Sequence, residues 1–211
     1  MPKRFFITGT DTGVGKTVVS AMLCAAFNAI YWKPIQTGTV EGTDRETVIR
    51  LAGIPVSRTI SEAYRFRPPV SPHLAARRAG VKIELRKIRL PRIDADENLI
   101  AEGAGGALVP INTTQLMTDL MRRLTLPVIL VSRTTLGTIN HTLLSIAALR
   151  DAGLRVHGVI MVGIPNRDNQ EAIEHYGKIE VLGTLPHLKP VSRATLLAGF
   201  GRNFSARAFS A

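Results

Sequence analysis

The chain has 211 residues, 45% of them hydrophobic, a single cysteine and a formal net charge of +11 at neutral pH. That length suits one domain spanning 1–211 with a substantial core, and apolar runs such as Pro127-Val128-Ile129-Leu130-Val131 are far too short to span a bilayer. The lone Cys24 excludes an internal disulfide framework and fits a reducing compartment.

The first predicted element is a strand, Arg4–Thr8. Its start, Met1-Pro2-Lys3-Arg4-Phe5-Phe6-Ile7, resembles a secretory leader, but the apolar stretch stops at Thr8-Gly9. A cytoplasmic protein is therefore expected. Gly9-Thr10-Asp11-Thr12-Gly13-Val14-Gly15-Lys16-Thr17 follows, then a predicted helix over Lys16–Asn28. Strand, glycine-rich turn, Lys-Thr and helix together make a polyphosphate cradle. Loop N–H groups and the positive helix end meet the anion, Lys16 reaches the terminal phosphates, and the Thr17 hydroxyl can hold Mg²⁺. Five residues separate Gly9 from Gly15, one more than the strict spacing. Cys24 falls on this helix, where a small buried apolar residue is the expected role.

A second strand, Ala29–Lys33, ends in Lys33-Pro34, with Thr37-Gly38 beyond it. A lysine there is either a surface residue or a second cation for charge developing on a terminal phosphate. Asp44 opens a predicted helix, Asp44–Ala52, either as its N-cap or as a Mg²⁺ ligand, and spacing does not separate it from Glu41 or Glu46. Residues 50–92 carry eleven basic residues against Glu62 and Glu84, a net +9. Only Tyr64 and Phe66 interleave with them, so no stacking platform for single strands is evident, and a solvated basic face is expected. Residues 57–72 read as a surface excursion, and the basic part of it extends to about 92. Ser71-Pro72-His73 then begins a predicted helix, Leu74–Ala79.

The strand Asn98–Glu102 places Glu102 at its tip, before Gly103-Ala104-Gly105-Gly106. A carboxylate after so apolar a run is costly to bury unpaired, which favours metal or lysine contact. Further on come helix Gln115–Leu124, strand Pro127–Ser132, helix Ile139–Ala152, strand Val156–Val162, helix Asn169–Tyr176 and strand Glu180–Thr184. The polar segment Gly199–Ala211 is expected to fray. Strands alternating with helices at this spacing predict a three-layer α/β/α fold, P-loop NTPase-like, around a mostly parallel sheet. Ligands in such sheets sit beyond the carboxyl ends of the strands. That rule draws Lys16, Thr17, Lys33, Glu102, Arg133 and Thr134 to one rim.

With these motifs assembled, the chain resembles the dethiobiotin synthetase family. The likeness rests on Thr8–Thr17, Trp32-Lys33-Pro34 with Thr37-Gly38, Ser71-Pro72-His73, Glu102–Gly106, Leu126–Val131 and Leu136-Gly137-Thr138-Ile139-Asn140-His141, and covers about residues 4–160. The family's displaced first glycine accounts for the extra loop residue. The resemblance implies an ATP- and Mg²⁺-dependent cyclo-ligase of biotin biosynthesis that joins CO₂ to 7,8-diaminononanoate, acting as a homodimer with its substrate at the subunit interface. It makes Lys33 catalytic, with Lys16 and Thr12 beside it. Thr37 and Asn140 would contact the substrate, and Thr17, Asp44 and Glu102 would hold the metal. ATP would lie on Gly13, Val14, Gly15, Lys16, Thr17 and Val18, on Asp44 and Glu102-Gly103-Ala104-Gly105, and on Val162, Gly163, Pro186, His187 and Leu188. Val162-Gly163 stand where the family usually has an asparagine that reads adenine, with Asn166 close by in sequence.

A rival of another class is a partition-type ATPase that binds DNA or membrane, which the positive charge favours. That group carries a signature lysine early in its phosphate loop, where this chain has Thr10-Asp11-Thr12. Cobyrinate-amidating ligases of the same fold need an additional glutamine-hydrolysing domain, for which 211 residues leave no room. The ligase reading predicts that the purified protein passes a DNA column at moderate salt. Retention released steeply by added salt would favour the partition-type reading instead.

Overall fold

The computed structural model describes residues 2–210; Met1 and Ala211, at the outer ends of the leader-like start and the polar tail, lie outside the described residues. The elements run β1 (Arg4–Gly9), α1 (Lys16–Phe27), β2 (Ile30–Trp32), β3 (Ile35–Thr37), α2 (Asp44–Ala52), β4 (Thr59–Ile60), β5 (Tyr64–Phe66), α3 (Pro72–Arg78) and β6 (Leu99–Gly106). They continue through α4 (Met117–Leu124), β7 (Val128–Arg133), α5 (Thr138–Asp151), β8 (Val156–Val162), α6 (Arg167–Gly177), β9 (Val181–Leu185) and α7 (Arg193–Asn203). Seven strands form one sheet in the order β4-β2-β6-β1-β7-β8-β9, parallel throughout.

Because strand side chains alternate between faces, each strand feeds two cores. Phe5, Ile7, Tyr31, Ile100, Ile129 and Val131 pack beneath α1, α2 and α7. Phe6, Trp32, Leu99, Ala101, Val128 and Leu130 pack against α3, α4, α5 and α6. The three-layer expectation is met, with a parallel sheet buried on both faces.

Three expectations need correction. β6 does not stop at Glu102 but runs on to Gly106, which pairs with Gly9 after a register shift. Glu102 is thus a mid-strand residue, and the glycines beyond it follow the phosphate loop. Residues 57–92 are not a loose excursion. β4 extends the main sheet, β5 pairs with β3 in a second, two-stranded parallel sheet, and Phe66, Ile83, Leu85 and Ile88 are buried. Arg58 turns inward onto Glu97 and the Asn28 carbonyl, the other arginines and lysines of the segment are exposed, and those apolar residues anchor it.

The third correction concerns the tail. α7 persists to Asn203, a 3₁₀ turn follows at Ala206–Phe209, and Phe209 is fully buried. Its ring lies 5.2 Å from that of Phe27, 5.8 Å from Phe200 and 6.1 Å from Phe5. Cys24 packs in the same core as expected of an apolar residue, and burial pushes its thiol pKa far up. Phe209→Ala should lower unfolding stability by about 3 kcal/mol, as truncation of a buried aromatic does. A denaturant midpoint unmoved by this change would mean that the tail is not part of the core.

Candidate active site

The phosphate loop leaves β1 at Gly9 and enters α1 at Lys16. Gly15 takes φ +102°, a conformation in which a side chain would be strained. A Cβ on Gly9 would approach Val14 Cγ2 to 2.7 Å and Lys16 Nζ to 3.2 Å, so the loop closes tightly only over glycine. Lys16 is nearly buried, and its Nζ donates to the Asp11 carbonyl at 2.8 Å. Burial lowers its pKa, partly offset by the Glu102 carboxylate.

Beneath the loop lies an ionic cluster drawn from four separate segments. Glu102, on β6, is 1% exposed. Its Oε1 accepts from Thr17 Oγ1 at 3.0 Å and from Lys33 Nζ at 3.2 Å, and its Oε2 accepts from the Tyr31 hydroxyl at 3.0 Å. Lys33 also pairs closely with Asp44, and Thr17 Oγ1 lies 3.1 Å from Asp44 Oδ1, so its single proton is shared between the two carboxylates. Burial works against the Lys33 ammonium, but Glu102 and Asp44 outweigh it and hold its pKa above the usual lysine value. Burial likewise disfavours the Asp44 carboxylate, and the Lys33 charge overcomes that to hold its pKa low.

The three acidic candidates here lie in different surroundings. Thr43 is the N-cap of α2, accepting from Glu46 N, while the Glu46 carboxylate accepts from Thr43 N at 2.7 Å. Glu46 is thereby occupied by a capping box. Asp44, one residue into the helix, has its carboxylate free to face Thr17 and Lys33. Its own N–H donates to Gln36 Oε1 at 3.2 Å. Glu41 is exposed at the cavity rim.

Two cavities flank the loop. The first, about 620 Å³, is floored by Lys16, Thr17, Lys33 and Glu102, and walled by Pro69, Val70, Pro72 and Val109. Thr12, Gly13, Gly15, Val18, Thr37, Asp44, Ala104 and Gly105 also line it. The second, about 460 Å³, lies across Gly13 and Gly15 and is bounded by Val14, Val18, Arg133, Thr134, Val162, Gly163, Asn166 and His187. Arg133 donates to the Thr12 carbonyl at 3.3 Å. Gly103 packs under Phe6 instead of facing either cavity, and Pro186 and Leu188 line neither. Asn140 is exposed on the first turn of α5 and lines neither cavity.

Thr17, Asp44 and Glu102 bring three hard oxygen donors together, a set that suits Mg²⁺. Among the described residues no group of three or more His, Cys, Asp or Glu gathers as a metal cage. An ion here would share its coordination with phosphate oxygens, as Mg²⁺ commonly does. Tyr31 and Gln36 belong to the cluster but carry no sequence signal of their own. The only hint at Tyr31 is a hydroxyl on a strand expected to be buried, which needs a partner.

A family model described as an AAA domain matches residues 3–195. Among solved structures, a ParA family ATPase from Chlorobium tepidum superposes with a TM-score of 0.54 at 12% identity, covering 94% of this chain and 89% of that one. MinC:MinD from Aquifex aeolicus gives 0.54 at 14%, covering 93% and 86%. These likenesses show the fold alone. The chain is 48% identical to the ATP-dependent dethiobiotin synthetase BioD of Nitrobacter hamburgensis over 97% of this chain and 96% of that one. It is 47% identical to the protein of the same name from Rhodopseudomonas palustris, over 97% and 95%. Identity of nearly one residue in two, across almost the whole of both chains, means that this chain belongs to the ATP-dependent dethiobiotin synthetase family.

Proposed function

We propose that this ligase closes the cyclic urea of dethiobiotin from 7,8-diaminononanoate and CO₂, using ATP, in the 620 Å³ cavity beside the phosphate loop. One observation carries the reading: a buried lysine, Lys33, stands at the floor of that cavity between the phosphate loop and an apolar wall. The wall of Pro69, Val70, Pro72 and Val109 suits an alkyl chain, and the polar floor suits its reacting end.

In the first step one amine of the substrate adds to CO₂, loses a proton and becomes a carbamate. A carbamate oxygen then attacks the γ-phosphorus of ATP. The bond to the bridging oxygen breaks, ADP leaves, and a carbamic–phosphoric anhydride remains. The second amine attacks the anhydride carbonyl, phosphate departs, and the ring closes with loss of a proton. Lys16 and Lys33 present ammonium groups to the negative charge that gathers on phosphate and carbamate oxygens, where the buried setting strengthens their effect. Loop N–H groups from Gly13 to Val18 orient the phosphates, with Thr12 at the edge of the same cavity. Thr17, Asp44 and Glu102 would hold Mg²⁺, which when bound draws electron density from the phosphate oxygens.

The nucleoside is assigned to the second cavity, against Val162, Gly163 and His187, with Asn166 taking the place of the missing asparagine. Thr37 faces the substrate. Asn140 reaches it from a second subunit, consistent with its exposure and with full exposure of Leu136 nearby. The homodimer and the cytoplasmic setting are part of this proposal. Among the described residues no helix is long and apolar enough to cross a membrane.

Phosphate release is expected to require diamine, bicarbonate and ATP together, with dethiobiotin appearing in step. Slow release indifferent to the diamine would reject this substrate assignment. Lys33→Ala should retain ATP binding and lose about 10²-fold in turnover, the scale of removing one charge-stabilising donor. It should also melt earlier, since two carboxylates lose their shared cation. Near-normal turnover in the folded variant would remove Lys33 from the chemistry.

A further inference from the structure

The hydroxyl of Tyr31 is a polar group of the ionic cluster that the proposed chemistry leaves unused. Tyr31 is fully buried on β2, and its strand pairs with β6 so that Tyr31 lies opposite Ile100. Residues two apart share a face, so Tyr31, Ile100 and Glu102 all point toward α1. From there the phenol reaches Glu102 Oε2 at 3.0 Å, while Oε1 is the oxygen that meets Thr17 and Lys33. The two oxygens of one carboxylate are thereby divided. One is tied back into the core, and the other faces the phosphate loop.

We infer that Tyr31 is a positioning residue which leaves Glu102 a single oxygen to offer a cation, and so favours Mg²⁺ over Ca²⁺ at this site. The inference rests on the reading of Glu102 as a cation ligand. Mg²⁺ takes compact octahedral coordination with few carboxylate contacts, whereas Ca²⁺ accepts more oxygens at longer range and often takes both oxygens of a carboxylate. A carboxylate pinned at Oε2 serves the first ion and denies the second its preferred grip. Removing the hydroxyl frees Oε2, and the unpartnered buried oxygen then favours rotation of the carboxylate toward its remaining cationic partners. The Tyr31 ring packs in the core beneath α1, so phenylalanine fills the same space.

The test compares wild type, Tyr31→Phe and Glu102→Gln in their ADP complexes, following bound Mn²⁺ by electron paramagnetic resonance with Mg²⁺ and Ca²⁺ as competitors. Tyr31→Phe is expected to cut the preference for Mg²⁺ over Ca²⁺ about tenfold, the scale on which second-sphere partners of metal ligands act. An unchanged preference, with only a lower melting temperature, would make Tyr31 a structural residue and overturn the inference. If Glu102→Gln leaves Mn²⁺ binding intact, the assignment of Glu102 itself fails and the inference falls with it. Loss in Glu102→Gln without any change in Tyr31→Phe sinks the Tyr31 role alone.

A measurement on the unaltered chain covers the case of a poorly folding variant. The sequence has three tyrosines, Tyr31, Tyr64 and Tyr176. Carbon-13 at the tyrosine Cζ therefore gives three signals, assigned by Tyr64→Phe and Tyr176→Phe. Adding Mg²⁺ to the ADP complex should move the Tyr31 signal, since its acceptor carboxylate takes up the ion. A Tyr31 signal that stays in place would overturn the inference.

Discussion

A carboxylate almost wholly buried in the middle of a parallel strand is the constraint on which the site depends. An uncompensated charge at Glu102 would be costly in the interior, so its neighbours must supply hydrogen bonds and a counter-charge. Thr17, at the start of α1, and Tyr31 and Lys33, on β2 and at its end, do so. Hydrogen bonds to a charged group are worth roughly 1.5–3 kcal/mol each, and together they offset much of the burial. The cluster therefore links folding to function. The chain cannot place Glu102 without also bringing α1 and the end of β2 against it.

The sheet order explains how the site becomes a cleft. β1 lies between β6 and β7, and the chain crosses over to reach both neighbours. The loop after β1 consequently opens between two walls. On the β6 side, Glu102, Ala104 and Gly105 line the larger cavity; on the β7 side, Arg133 and Thr134 bound the smaller one. The small sheet of β3 and β5 builds part of the larger cavity's far wall, carrying Gln36 and Thr37 inward and the basic side chains of its neighbourhood outward. The high positive charge of residues 50–92 is thus spread over the surface of a packed segment.

The C-terminal aromatics extend the same core from the other end of the chain. Phe200 and Phe209 close over Phe27 of α1, Phe209 also meets Phe5 of β1, and Phe204 packs against Phe200 and Phe209. They brace the helix whose N-terminus forms the phosphate site. A tail that looks polar by composition is held because every few residues it returns an aromatic ring to the sheet.

What the sequence determined by itself is what local chemistry encodes. The phosphate loop is contiguous, its glycines have no substitute, and the alternating apolar segments set the six principal strands and the layer order. Short elements escaped notice for the same reason. β3 and β5 are three residues each, too brief for a periodicity to register, and β4 is two. Thr43-Asp44-Arg45-Glu46 is a local capping-box pattern, but only the tertiary structure decided that Asp44 rather than Glu46 faces Lys33. Only it placed Tyr31 under Glu102, 71 residues away in sequence. Such choices depend on distances between side chains remote along the chain, which strand register and helix packing set and no local pattern records.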